Sequence, residues 1–460
     1  MTQVRPLNVA VVGAGPAGIH TCDSLLNNQK EVPVSVDLYE RLPVPFGLVR
    51  YGVAPDHPNI QGIFQSLHDL VHDSEIRLVA GVEVGVDVLV EDLQRAYDAV
   101  VFATGANHDA PLDIPGVDLP GSFGAAQFVS WYDAHPDFPS DWSLEASQVA
   151  VIGAGNVALD ISRMLSRRAD ELGTTEIPEH VHEVFAASQV TDVHIFARRG
   201  PAESQFSPEE LKHLDDLSDV DVVVDPDDMV IERSSEMLMS SFPQRKQVVA
   251  MLDEWSQRDR SAFTAPRRVH LHFMRAPASI EGTSAVEGLT VERTRHMVNG
   301  MVEGTGEFET FPVGQVYRAI GYASSPIPGV PFDENLRRVP HQRGRVVDEA
   351  GETVPGLYVS GWIKRGPVGL IGSTRMDSRE TVHHLLEDAE DVDTSRPGGY
   401  DPIEEAFTDR TPAPGIDWEG WLRVDKHERS TGEAQGKVRV KVYERQQLVD
   451  IARTALTSVE

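Results

Sequence analysis

Two copies of one glycine-rich pattern constrain the fold of this chain more than any other feature. In each copy an apolar run predicts a buried strand, closely spaced glycines predict a tight turn, and the following residues predict a helix. In the first copy Gly13, Gly15 and Gly18 occupy the first, third and sixth positions of Gly-x-Gly-x-x-Gly. Such a turn brings backbone N–H groups and the positive end of a helix dipole to a pyrophosphate. The pattern predicts an α/β dinucleotide-binding fold, although a single copy is also compatible with an ordinary turn.

The second copy contains Gly153, Gly155, Asn156 and Val157, and Ala158 stands where the helix packs on the strand. Because the pattern occurs twice, we expect two Rossmann-like domains.

The residue type at the end of the next strand differs between the two copies. After the first copy, strand 35–39 ends at Glu40, 22 positions after Gly18, where a carboxylate typically binds a ribose 2′-hydroxyl. After the second, strand 193–197 is followed by Arg198 and Arg199, whose guanidinium groups suit a 2′-phosphate. This contrast predicts FAD at the first copy and NADPH at the second. The alternatives are a solvated acid at a strand end and two ordinary surface arginines.

Two further stretches are expected to contact the flavin. Residues 44–58 are apolar and broken by proline and glycine, so neither a helix nor a strand is predicted. They are expected to bury themselves against a flat aromatic ligand, unless they form a packed crossover loop. Residues 356–375 predict a short strand, a glycine-rich turn with Trp362, and a helix to about residue 386. The N-terminus of that helix suits the negative charge of a reduced flavin, or the loop is a plain turn.

The length of 460 residues predicts two or three domains. We expect the FAD-binding domain to comprise 1–107 and 322–460, with the NADP-binding domain inserted at 108–321. A tail from Pro397, containing Trp418 and Trp421, is expected to pack on the first domain as an ordered C-terminal appendage. Smaller expectations are a strand-like segment at 83–88 and surface helices and loops at 200–241. We also expect strands near 269–274, 289–293 and 315–317.

The formal net charge of −31 argues against nucleic acid or an anionic membrane as the main partner, and its plain interpretation is solubility. Residues 245–275 are locally basic, and an acidic partner is expected to dock there, near Arg245, Arg267 and Arg268.

Other classes are excluded by what the sequence lacks. No apolar run approaches the ~20 residues that span a bilayer, and the N-terminus has no signal-peptide pattern. A single cysteine, Cys22, excludes an intrachain disulfide and a redox-active Cys-x-x-Cys. We therefore expect a cytoplasmic protein without integral membrane association, and no residues predict a metal site.

Two nucleotide sites together predict hydride transfer from the nicotinamide to the flavin. Without a second cysteine the electrons must leave directly from the flavin, and a one-electron carrier is the natural acceptor. One rival is an FAD/NADPH electron-input subunit of a larger enzyme, which would normally bring a cysteine-rich iron–sulfur segment. The other is a non-catalytic nucleotide-sensing module, which would bind both nucleotides without turnover.

Five motifs give the chain a family resemblance over essentially its whole length. They lie at residues 12–18, 45–58, 153–160, 197–201 and 360–367. The most specific joins Pro-Phe-Gly-Leu-Val-Arg to Pro-Asp-His-Pro. The chain resembles adrenodoxin-reductase-type NADPH–ferredoxin reductases, specifically the actinobacterial ones. The resemblance implies electron transfer from NADPH through FAD to a ferredoxin, an acidic iron–sulfur carrier.

The resemblance also implies individual contacts. FAD contacts are implied at Ala17, Glu40, Leu48, Val84, Trp362, Gly369, Leu370 and Ile371. NADPH contacts are implied at Gly155, Asn156, Val157, Arg198, Arg199, Glu210 and Gly369. His57 and Asp160 are implied at the redox site. On the residues alone, the alternatives are a turn histidine between prolines for His57 and a surface acid on a helix for Asp160, although Asp160 lies one helical turn beyond Asn156, on the nucleotide side.

Overall fold

The computed structural model describes residues 5–28, 33–57, 60–297, 301–369, 371–389, 400–408 and 415–454. These residues fall into two compact units. Unit 1 takes its residues from 1–108, 133–137 and 322–460, and unit 2 takes them from 109–132 and 138–321. The short segment 133–137 therefore belongs to unit 1, although the residues on both sides of it belong to unit 2.

Unit 1 is built on a seven-stranded sheet, of which five neighbouring strands are parallel. In order across the sheet, the strands are His341–Gln342, Arg345–Val347, Thr353–Val359, Ala99–Phe102, Leu7–Val12, Val34–Glu40 and Arg77–Ala80. The strand Arg345–Val347 pairs antiparallel with both of its neighbours, His341–Gln342 and Thr353–Val359. The strand order reverses at Leu7–Val12, which is where open α/β sheets bind ligands at the carboxyl ends of their strands.

Both faces of this sheet are buried. Val9 and Val11 belong to one hydrophobic cluster and Ala10 and Val12 to another, because successive side chains point to opposite faces. The unit 1 helices are Pro16–Asn27, Leu48–Tyr51, Ile60–His72, Val90–Ala96, Trp362–Arg365, Ile371–Ala389, Pro402–Ala406, Trp418–Ala434 and Arg445–Arg453.

Unit 2 contains a six-stranded parallel sheet. Its strands, in order across the sheet, are Ser122–Gly124, Gln315–Arg318, Gln148–Ile152, Asp192–Phe196, Arg267–His272 and Val220–Val224. A separate antiparallel sheet consists of Arg275–Glu281, Gly288–His296 and Val302–Phe311. The α-helices are Ala125–Tyr132, Asn156–Ser166, Ala169–Leu172, Glu179–Ala186, Pro208–Asp215, Arg233–Ser241 and Pro243–Ser256. Two short strands, His108–Asp109 and Tyr322–Ala323, lie where the chain passes between the units.

The strand–turn–helix prediction is confirmed for both glycine-rich copies, and so is the α/β class with two nucleotide-binding folds. The strand-like prediction for residues 83–88 is wrong. The Asp87 N–H donates to the Glu83 carbonyl (2.8 Å), and the Asp87 carboxylate accepts from the Glu83 N–H (2.8 Å). These bonds close the segment on itself as a turn. Residues 200–241 contain a strand, Val220–Val224, as well as the expected helices and loops.

The prediction that the tail packs on unit 1 through its tryptophans is confirmed. The buried Trp421 ring lies 5.4 Å from that of Phe46, and Trp418 Nε1 donates to His72 Nδ1 at 3.0 Å. The backbones of Ile416 and Ala80 exchange two hydrogen bonds, so the tail also extends the sheet edge. Within the described residues, no helix combines the length and apolarity that a membrane crossing requires.

Candidate functional site

In unit 1 the first glycine-rich turn leaves no room for side chains at two of its glycines. Gly13 has a φ of +108°, and a Cβ there would lie 2.6 Å from the Ala103 carbonyl oxygen. A Cβ on Gly18 would lie 1.8 Å from the Gly13 carbonyl oxygen. These contacts force the chain to bend at the end of Leu7–Val12 and let the next helix pack against the turn.

The helix that follows, Pro16–Asn27, begins at Gly15 without a side-chain cap. Its first-turn N–H groups therefore lack a side-chain acceptor and carry the positive end of the helix dipole. This donor set fits the pyrophosphate of a dinucleotide such as FAD.

Glu40 ties the end of its strand to the glycine turn. Its Oε2 accepts from the Ala14 N–H and its Oε1 from the Leu42 N–H, both at 2.9 Å. Burial raises the pKa of Glu40 above its ordinary value even though both bonds lower it. Each carboxylate oxygen has a second lone pair, so the group can still accept a hydrogen bond from a hydroxyl group.

The loop that begins at Val44 lies directly against this turn. Phe46 is buried with a φ of +86°, and its N–H donates to the Ala14 carbonyl at 2.8 Å. Residues Leu48–Tyr51 form a short helix, which corrects the prediction that this stretch has no helix. His57, half-buried, closes a turn through its N–H to the Ala54 carbonyl (2.9 Å).

The turn at Trp362 also lies close to the first helix. The Ser360 N–H donates to the Phe102 carbonyl (2.9 Å), and a Cβ on Gly361 would lie 2.5 Å from the Ala17 Cβ. Trp362 is half-buried and stacks on Tyr322, with 6.2 Å between ring centroids. The structure thus brings Ala17 close to the Trp362 turn.

The remaining predicted flavin contacts differ in exposure. Val84 is buried, Leu48 is half-buried and Gly369 is exposed. Leu370 and the side chain of Ile371 lie outside the described residues, as do Pro58 and Asn59 in the neighbouring loop. The sequence predicts one helix after the glycine-rich turn at Trp362. The structure has two helices there, Trp362–Arg365 and Ile371–Ala389.

In unit 2 the two glycines of the second turn differ in how much space surrounds them. Gly153 has a φ of +150°, and a Cβ there would lie 2.1 Å from the Ala319 carbonyl oxygen. A Cβ on Gly155, in contrast, would have no atom within 4 Å. The helix Asn156–Ser166 also begins without a side-chain cap. An open position over Gly155 and uncapped N–H groups fit the pyrophosphate of NADPH.

The loop that follows Gly200 is attached to this turn. Asn156 Oδ1 accepts from the Ser207 N–H (2.9 Å), and the Gln205 N–H donates to the Ala154 carbonyl (2.6 Å). Ser207 Oγ in turn accepts from the N–H of the buried Glu210 at 3.2 Å and caps the helix Pro208–Asp215. This helix start could have been predicted from the sequence, because Ser207 and Glu210 have the spacing of a capping box.

Asp160 lies on the first turns of the Asn156–Ser166 helix. Its carboxylate forms an ion pair with the buried Arg163 of the same helix. Val157, beside it, is half-buried.

Arg198 and Arg199 extend from the end of strand Asp192–Phe196. Both are exposed, and their backbones are fixed: the Arg198 carbonyl accepts from Thr294 Oγ1 (2.7 Å) and the Arg199 carbonyl from the Met274 N–H (3.2 Å). For the described part of the chain, no hydrogen bond or ion pair is found for either guanidinium. Two adjacent unpaired cations in a chain with 72 acidic residues indicate a site for an anion.

Comparison with known proteins agrees with this geometry. Residues 7–375 match the family described as pyridine nucleotide-disulphide oxidoreductase. The chain belongs to this family. It is 37% identical over 446 residues to NADPH-ferredoxin reductase FprA of Mycobacterium leprae, covering 95% of this chain and 96% of that protein. It is 36% identical over 470 residues to mitochondrial NADPH:adrenodoxin oxidoreductase of Bos taurus, covering 97% and 92%.

A solved structure of Mycobacterium tuberculosis FprA in complex with NADPH superposes with a TM-score of 0.91 at 36% identity. The match covers 98% of this chain and 100% of that one. The resemblance to adrenodoxin-reductase-type NADPH–ferredoxin reductases is confirmed.

The family name refers to disulphides, but this oxidoreductase has a single cysteine. Cys22 is completely buried on the Pro16–Asn27 helix, and burial raises the pKa of its thiol. Neither a dithiol pair nor an accessible thiolate is available as an internal electron acceptor.

Proposed function

We propose that this chain is a ferredoxin–NADP(+) reductase with FAD and NADPH as its cofactors. The observation that carries the proposal is the contrast between Glu40, bound to the first turn, and the unpaired Arg198 and Arg199 beside the second. FAD, once bound, supplies the acceptance of two electrons as a hydride and their release one at a time. The overall reaction converts NADPH and two oxidised ferredoxins to NADP+, a proton and two reduced ferredoxins.

We assign FAD to residues 1–107 and 322–460, and NADPH to 108–321 apart from the segment 133–137. On the FAD side, uncapped N–H groups behind Gly15 would bind the pyrophosphate and Glu40 a ribose hydroxyl. The residues proposed to surround FAD are Gly13, Gly15, Ala17, Gly18, Glu40, Leu48, Val84, Trp362, Gly369, Leu370 and Ile371.

On the NADPH side, the open backbone at Gly155 would admit the pyrophosphate, and Arg198 and Arg199 would bind the 2′-phosphate. The residues proposed to surround NADPH are Gly153, Gly155, Asn156, Val157, Arg198, Arg199, Glu210 and Gly369. We propose His57 and Asp160 as residues of the redox site, where the ion pair with Arg163 holds the Asp160 carboxylate in place.

The test of this function is electron transfer itself. The purified protein should be yellow, should bleach faster with NADPH than with NADH in stopped flow, and should reduce both ferredoxin and ferricyanide. A nucleotide-sensing module would bind both nucleotides yet leave ferricyanide oxidised. An electron-input subunit would reduce ferricyanide but no free ferredoxin. Either result, or a preference for NADH, would contradict the proposal.

We also propose that the ferredoxin is acidic and docks near Arg245, Arg267 and Arg268. Arg245 donates to the Ala202 carbonyl (2.8 Å) and Arg267 to the Arg167 carbonyl (2.9 Å), so both hold the backbone of unit 2. Arg268 is exposed, with no ion pair found in the described chain, and is the charge of the three most available to a partner. We place the reaction in the cytoplasm, where a chain with one buried cysteine and no disulfide is typical.

Changing Arg268 to glutamate should lower kcat/KM for ferredoxin about tenfold and weaken its dependence on salt, because a docking charge mainly controls association. Ferricyanide reduction should not change. The matched control is Arg295→Glu, which reverses an exposed arginine that pairs with Glu303 at 2.8 Å. If Arg268→Glu left ferredoxin kinetics and their salt dependence at wild-type values, this docking surface would be wrong.

A further inference from the structure

The helix Trp418–Ala434 of the C-terminal appendage contacts the loop that lies against the first glycine-rich turn. We infer that Glu428, on this helix, is a positioning residue for FAD: through Arg50 it holds residues 45–51 against the turn at Gly15. The inference rests on the proposed binding of FAD at this turn. It gives a function to the C-terminal appendage, for which the sequence alone indicated none.

The loop needs an external restraint because its conformation is strained. Phe46 is a bulky residue with a φ of +86°, a backbone conformation that is unfavourable for a residue other than glycine. The strain places the Phe46 N–H on the Ala14 carbonyl and Gly47 beside Gly15, where a Cβ on Gly47 would lie 3.2 Å from the Gly15 Cα. A relaxed loop would lose these contacts with the turn.

Arg50 connects this loop to the appendage through a buried, two-pronged ion pair. Its side chain is 1% exposed and that of Glu428 is 0% exposed. One guanidinium nitrogen donates to Glu428 Oε2 at 2.9 Å, and the other donates to Oε1. Removing one partner of such a pair leaves an uncompensated charge in the interior, so the pair strongly resists separation.

The appendage holds Arg50 at its backbone as well. Lys441 Nζ donates to the Arg50 carbonyl (2.7 Å) and lies 3.2 Å from Asp133 Oδ1. The Trp421 ring lies 5.5 Å from the Arg50 guanidinium and 5.4 Å from the Phe46 ring. The appendage therefore contacts the side chain and the carbonyl of Arg50, together with the strained residue itself.

Glu428 has further partners within the appendage. It also accepts from Arg439 (3.2 Å) and from the Val442 N–H (2.9 Å). Burial on its own would raise the pKa of Glu428, but Arg50 and Arg439 bring it below the ordinary value. Arg439 also pairs with Asp425 at 2.9 Å, whereas Glu428 is the one carboxylate found paired with Arg50 in the described part of the chain.

The test is the affinity of the apoprotein for FAD, followed by quenching of flavin fluorescence. Glu428→Gln keeps the shape but removes the charge, and the Kd for FAD should rise at least tenfold. When FAD is saturating, the KM for NADPH should stay within about twofold of wild type. The control is Asp98→Asn, which neutralises another largely buried carboxylate that binds both Arg5 guanidinium nitrogens and the Asn8 N–H. Because Asp98 binds the N-terminal end of the first strand, that variant should lower Tm without changing the Kd for FAD.

Two further variants keep the inference testable. Arg50→Gln combined with Glu428→Gln removes both charges and retains a hydrogen bond, so it should restore much of the FAD affinity that Glu428→Gln alone loses. If Glu428→Gln fails to fold, Arg50→Lys replaces it, since lysine keeps the charge without the two-pronged geometry and should still weaken FAD. A lowered Tm with FAD affinity within twofold of wild type would overturn the inference. A wild-type protein that binds no FAD would instead overturn the proposed function.

Discussion

Replacing Arg198 and Arg199 together with alanine is expected to raise the KM for NADPH by about 10²- to 10⁴-fold, whereas the KM for NADH should change less than about threefold. A hydrogen bond to a charged group contributes about 1.5–3 kcal/mol, and the double variant removes two such donors from the 2′-phosphate. NADH has a neutral hydroxyl at that position, so its binding does not lose charge-assisted hydrogen bonds of this strength. Because both backbones are fixed by Thr294 and Met274, truncating the side chains should leave the fold intact.

Steady-state kinetics with both coenzymes measure this expectation. The control is Arg295→Ala, which removes another exposed arginine of unit 2 whose partner is the surface residue Glu303. That control should leave both KM values unchanged. An equal loss for NADPH and NADH would show that the arginine pair supports the fold or the shared part of the coenzyme, and would contradict recognition of the 2′-phosphate.

Gly155→Ala should yield a folded protein with NADPH affinity reduced on the order of tenfold or more. Gly155 has a φ of −123°, which alanine tolerates, and a Cβ there meets no atom of the protein within 4 Å. The added methyl group would occupy the space through which a pyrophosphate approaches the backbone. Loss of a glycine helix cap should cost only a few tenths to about 1 kcal/mol of stability.

Gly153→Ala is the matching contrast. Its Cβ would lie 2.1 Å from the Ala319 carbonyl oxygen, and its φ of +150° disfavours any side chain. We expect this variant to lose a large part of the stability of unit 2, whereas Gly155→Ala should shift Tm by a few degrees at most. Thermal melting and NADPH titration measure the two effects separately. Wild-type NADPH affinity in Gly155→Ala would show that the pyrophosphate lies elsewhere.

The parts of the fold and site that are predictable from sequence are those encoded by local backbone requirements. Gly13, Gly18 and Gly153 stand where a side chain would collide with backbone atoms, so their spacing alone reveals the strand, turn and helix. Arg198 and Arg199 follow a buried strand directly, and their charge contrasts with Glu40 at the equivalent position.

Long-range pairing was not accessible in the same way. Arg50 and Glu428 are 378 positions apart, and each alone resembles an ordinary surface charge. The basic stretch at 245–275 could be counted in sequence, but only the structure shows that Arg245 and Arg267 bind backbone carbonyls. The segment 83–88 alternates like a strand, yet the Asp87 carboxylate competes for the backbone and closes a turn.

The segment Asp133–Asp137 limits how this protein could exchange parts with its relatives. Although it lies within the sequence range of the inserted domain, Asp133 pairs with Lys441, and Asp137 pairs with Arg41 and Arg445, all in unit 1. A chimaera that grafts a foreign domain between residues 108 and 321 would delete both carboxylates and with them the ion pair of the buried Lys441. The range 108–321 is therefore not a self-contained module of this chain, and an exchange of that range has to leave residues 133–137 with unit 1.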